Sequence, residues 1–113
     1  VDGRLPAHLE VSALIRRVNV EGGFATVLFK GEQDAGTILA VLTHNGGKTR
    51  LFERMPQLDG ARAWVCTHRQ DPANPYEFQE YLDRRKRQDP DIWVVELDAA
   101  GAERFIGADP DAG

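Results

Sequence analysis

The chain has one cysteine, one methionine, no long apolar run and no excess of positive charge. The single thiol, Cys66, excludes an internal disulfide and any zinc site built from several cysteines. Such cysteine usage suits a reducing compartment, so a cytoplasmic location is expected. A helix across a bilayer needs about 20 consecutive apolar residues, and no such run is present. The opening Val1-Asp2-Gly3-Arg4-Leu5-Pro6 lacks the apolar stretch of a secretory signal. Because Met55 is the sole methionine, Val1 is expected to reflect trimming, an omitted initiator or a non-standard start.

Duplex-DNA binders usually carry net positive charge, whereas this chain of 113 residues carries −4. The acidity is local. Residues 96–113 hold five acids (Glu96, Asp98, Glu103, Asp109 and Asp111) against Arg104, leaving thirteen acids and thirteen bases in the rest. A hydrophobic fraction of 42% and a charged fraction of 28% are ordinary for a single folded domain.

What is present is a pattern of short elements. Val11, Leu14, Ile15 and Val18 recur at helical spacing, which predicts a helix over about residues 10–21, stopped by Gly22-Gly23. Four apolar runs follow, at Phe24–Lys30, Thr37–Thr43, Lys48–Met55 and Arg62–His68. The turns between them are short, so sequential antiparallel neighbours are expected. The second run is apolar at nearly every position, which suits a central strand covered on both faces. Asn74-Pro75-Tyr76-Glu77 predicts a helix start that runs to Gln88, before Asp89-Pro90. Ile92–Leu97 reads as a fifth strand, and Ala102–Ile106 as a sixth at the edge. The fold expected is therefore α+β, a two-layer sandwich with a mainly antiparallel sheet of five to six strands and two helices. Its order is α-β-β-β-β-α-β, in one domain over residues 1–106 with a disordered acidic tail at 107–113.

Several segments together, Val11-Ser12-Ala13-Leu14-Ile15-Arg16-Arg17, Gly22-Gly23-Phe24 through Asp34-Ala35-Gly36, and Tyr81-Leu82 followed by Asp89-Pro90-Asp91-Ile92-Trp93-Val94-Val95-Glu96, carry a resemblance. The chain resembles an uncharacterised bacterial family, a domain of unknown function, over about residues 4–97. That implies a small stand-alone bacterial cytosolic protein. It brings no activity, ligand or catalytic residue with it.

Candidate sites come from the residues themselves. In the third and fourth strands, Arg50, Phe52, Arg54, Arg62, Trp64 and His68 share one sheet face if the hairpin register aligns them. Rings stack on bases and arginines neutralise phosphates, so this face suits an anionic ligand or single-stranded nucleic acid. The competing reading makes Phe52 and Trp64 core residues beneath a helix, with the arginines at the rim. Arg84-Arg85-Lys86-Arg87 is explained locally by Glu80→Arg84 and Asp83→Arg87 pairs, with Arg85 snorkelling past the apolar stripe. Cys66 and His68, with Asp71, form the alternative of a small enzyme with a thiolate–imidazole pair. His8, His44 and His68 show no metal-ligand spacing, and no GxGxxG or Walker A motif occurs. The expectation is a non-catalytic binding or interaction module without metal or cofactor. Its partner is expected to be a protein or a second copy at a sheet edge, with nucleic acid less favoured and no membrane.

Overall fold

Ile38-Leu39-Ala40-Val41-Leu42 is buried at every position, and the chain is arranged to bury it. The computed structural model describes residues 5–108. Within them the elements are α1 (Ala7–Val20), β1 (Phe24–Phe29), β2 (Ile38–His44), β3 (Gly47–Pro56), β4 (Arg62–Arg69), α2 (Pro75–Gln88), β5 (Trp93–Asp98) and a short α3 (Glu103–Ile106). The sheet runs β1-β5-β2-β3-β4. Three of its pairings are antiparallel, and β2 with β5 is parallel. The α+β class stands, with a mixed, mainly antiparallel sheet.

Side chains alternate across β2. Ile38, Ala40 and Leu42 join Val11, Leu14 and Val18 of α1 and Phe105 of α3 in one core. Leu39 and Val41 join Phe78 and Leu82 of α2 in a second core on the opposite face. Helices thus cover both faces, where two layers were expected. The reason is β2 itself, which offers no polar position before Thr43 and therefore has to be covered twice.

The connection from β1 to β2 also departs from expectation. These strands are not neighbours, because β5 lies between them. Residues 30–37 span two inter-strand spacings, roughly 10 Å, which a loop of that length does easily. The loop lies flat on the start of β5. Trp93 Nε1 donates to the Glu32 carbonyl at 2.7 Å, and the Glu32 carboxylate accepts from the Asp34 and Ala35 amides. A Cβ on Gly31 would stand 2.1 Å from the Asp91 carbonyl, and one on Gly36 2.5 Å from it.

Helix α1 starts earlier than the apolar spacing suggests, because Pro6 holds the N-cap position and Ala7 extends the buried stripe by one turn. Asn74 does sit at the α2 N-cap, but its side chain makes no capping hydrogen bond. The segment expected as a sixth strand is α3. Gly107 closes it in the left-handed conformation at φ 68°, and Ala108 packs into the α1 core. Gly107 and Ala108, expected in the tail, are thus part of the fold, and the rest of the expected tail, residues 109–113, lies outside the described residues. Among the described residues, no helix is long and apolar enough to cross a membrane.

Candidate anion-binding site

The β2–β3 hairpin turns at Asn45 and Gly46, with φ of 53° and 75°, as Asn-Gly favours. Lys48 follows, also left-handed at φ 52°. A lysine there is strained, since its Cβ crowds the backbone and glycine or asparagine would sit more easily. Its side chain is exposed. Two residues on, Arg50 lies directly opposite Arg69 of β4. Like charges facing each other across a strand pair destabilise it unless something offsets them.

One offset comes from α3. Arg50 Nη2 donates to Glu103 Oε2 at 2.5 Å, and both side chains are mostly buried. Burial pushes the Glu103 carboxyl up. The hydrogen bond from its own backbone amide, and the hydrogen bond and charge of Arg50, outweigh burial and hold it below the usual carboxylate range. Lys48, Arg50 and Arg69 line a hollow of ≈ 390 Å³ together with Thr49, Gln70 and Glu103. An adjoining hollow of ≈ 250 Å³ shares Lys48, Arg50 and Glu103 and adds His44. Three cations thus converge with one carboxylate. The arrangement suits a dianion, which would lie between the hairpin and the edge strand.

The residues expected on a basic aromatic face are only partly brought together. Phe52 is fully buried in the α1 core. Trp64 is half-buried against the same core, with the Arg54 guanidinium 4.8 Å from its ring centre. Arg54 is held by Glu10 of α1 at 2.8 and 3.1 Å. Arg62 is exposed where β4 begins, beside a hollow of ≈ 410 Å³ that Arg54, Glu10 and Asp34 also line.

His68 lies on the other face of the sheet. The register shifts between Leu51 and Phe52, so that Leu51 pairs with His68 and Phe52 with Cys66. This bulge ends the period of two, and Thr67 and His68 both turn toward α2. His68 stacks on Tyr81 at 3.7 Å, while Cys66 packs against the α1 core. The Cys66–His68 pair of the alternative, enzymatic reading is therefore not formed. Asp71 is exposed and caps its own turn by accepting from the Ala73 amide.

On that second face, Glu53 accepts hydrogen bonds from Thr67 at 2.6 Å, Tyr81 at 3.3 Å and Arg85 at 2.5 Å. Arg85 does not snorkel past the stripe as expected but closes this pair. Among the described residues, neither Glu80–Arg84 nor Asp83–Arg87 forms an ion pair. Arg84 lies over the Tyr81 ring and Lys86 over Phe29 instead.

Sequence reasoning names Arg50 but misses Lys48, Arg69 and Glu103. The period of two fails at the bulge, so Arg69 could not be registered against Arg50. Glu103 looks like part of an acidic end until α3 is seen to fold back. The one legible signal is the basic excess between residues 44 and 69.

The profile of the family described as "Protein of unknown function (DUF1491)" matches residues 5–107. No curated protein matches. A crystal structure of a DUF1491 family protein from Caulobacter crescentus CB15 is 34% identical with a TM-score of 0.78, covering 93% of this chain and 97% of that one. An NMR structure of a DUF1491 family protein from Caulobacter crescentus CB15 is 36% identical with a TM-score of 0.75, covering 92% and 94%. The solution structure of protein Atu0922 from A. tumefaciens is 30% identical with a TM-score of 0.76, covering 97% and 99%. The profile spans nearly all of the chain, and these bacterial structures share its fold end to end, so the chain belongs to the DUF1491 family.

Proposed function

We propose that the chain is a non-catalytic binding module whose ligand is a small phosphate-bearing anion held by Lys48, Arg50 and Arg69. The observation that carries this is the opposition of Arg50 and Arg69, with Glu103 beside Arg50. A phosphate monoester carries close to two negative charges and three acceptor oxygens, which matches the two cations left over. The strain at Lys48 supports the same reading, because strained backbone concentrates where a side chain is needed in place. Single-stranded nucleic acid is the weaker candidate. Its stacking platform would be Phe52 and Trp64, of which one is sealed and the other lies beneath Arg54. A cytoplasmic location goes with this reading, supported by the lone thiol.

The test is an NMR titration of the whole chain with inorganic phosphate and a simple phosphate ester at rising salt. The amides of Lys48, Arg50 and Arg69 are expected to shift, with affinity falling as salt rises. Arg69→Ala should weaken binding by about tenfold, the loss of one charge-assisted hydrogen bond. It should do so without lowering the melting temperature, because it also removes a like charge opposite Arg50. Lys48→Gly should weaken binding while relieving the left-handed strain, so the protein becomes slightly more stable. Absence of shifts at these amides in low salt overturns the reading.

A further inference from the structure

The outer edge of the sheet at β1 carries a second, separate signal. Phe24-Ala25-Thr26-Val27-Leu28-Phe29 has no charge, no proline and no glycine. Four of its six residues are exposed, and among the described residues β1 pairs only with β5. Such an edge offers a row of backbone N–H and C=O groups as a template for another strand. The opposite edge, β4, is guarded by Arg62 and Arg69 at its ends and by the bulge near His68. Exposed apolar side chains collect beside β1. Of the nine large hydrophobic residues left in solvent among the described residues, Phe24, Val27 and Leu28 belong to β1 and Val20 ends α1 just before it.

We infer that β1 is the seat of a symmetric dimer, in which two copies of this chain join β1 to β1 antiparallel and extend the sheet across the interface. The charges that flank the strand choose this occupant. Exposed Glu21 precedes β1 and exposed Lys30 follows it. Antiparallel pairing sets the Glu21 end of each copy against the Lys30 end of the other, so both ends of the interface are complementary. Parallel pairing would set like against like. Glu21 meets Arg104 at 2.9 Å in an exposed pair, which is of small energy and leaves its carboxylate open to a second cation. The twofold axis also makes the surface self-complementary, since the same apolar residues supply both halves.

Analytical ultracentrifugation of the whole chain over a range of concentrations, with hydrogen exchange of the β1 amides, tests the dimer. A reversible dimer is expected, with β1 amides more protected as concentration rises. Val27→Lys places two lysines close to the axis and should weaken association by about tenfold or more while leaving the circular dichroism unchanged. Phe24→Lys, at a side chain already 73% exposed, is the second variant should Val27→Lys fail to fold. A monomer at every concentration overturns the proposal. So does a dimer that withstands both variants while its β1 amides exchange freely.

Discussion

Glu53 shows how one side chain ties two elements together. Burial alone would push its carboxyl up, but hydrogen bonds from Thr67, Arg85 and Tyr81, with the charge of Arg85, hold it below the usual range. A lowered carboxylate stabilises the fold in its ionised form. That contribution is complete above the unfolded value, about 4.3, and is lost as pH falls through the lower folded value. Glu53→Gln is therefore expected to cost about 2 kcal/mol at neutral pH, the worth of a hydrogen bond to a charged group. The cost should shrink toward pH 3 in thermal melts; a penalty that stays constant with pH would show that charge plays no part. This residue was not legible in the sequence. Glu53 sits on the face opposite Arg50 and Arg54, and two of its three partners, Tyr81 and Arg85, come from α2, whose place against that face no spacing announces.

At the scale of elements, apolar periodicity was a good guide wherever it ran uninterrupted. The apolar stripe of α1 and the continuous run of β2 both lie where their side chains demand cover. Periodicity was a poor guide at the ends of elements and in connections, where single contacts decide. The loop from β1 to β2 looks like a hairpin turn in sequence, because nothing local announces that another strand must fit between. Its glycines carry the missing information. Gly31 and Gly36 let the loop backbone lie against Asp91 and Trp93, a contact that a side chain would block. Gly31→Ala should cost about 3 kcal/mol or more in urea denaturation, at or above the upper end of overpacking penalties, since the obstruction is a backbone oxygen. A loss below about 1 kcal/mol would mean that the loop can lift off without consequence.

For the molecule as a whole, the class of fold was readable and the candidate site was not. Burial is a property of each strand's own residues, whereas the site depends on which strands lie side by side. The acidic end illustrates this. Glu103 folds back to neutralise Arg50, while Asp98 at the end of β5 accepts a hydrogen bond from the Asn45 amide of the hairpin turn at 2.8 Å. The charge imbalance along the chain is therefore partly cancelled in space.

The last strand in sequence, β5, occupies a central place between β1 and β2. Synthesis from the N-terminus therefore produces β1 well before β5, its strand partner among the described residues, exists. A nascent chain that has reached Gln88 holds β2, β3 and β4 with one flank of β2 open, while β1 has no strand to join. A chain truncated after Gln88 should accordingly lack cooperative unfolding by circular dichroism, and a native-like melt would contradict this. Folding must then wait until β5 has left the ribosome, and the apolar residues of β1 and β2 stay accessible to chaperones throughout that interval.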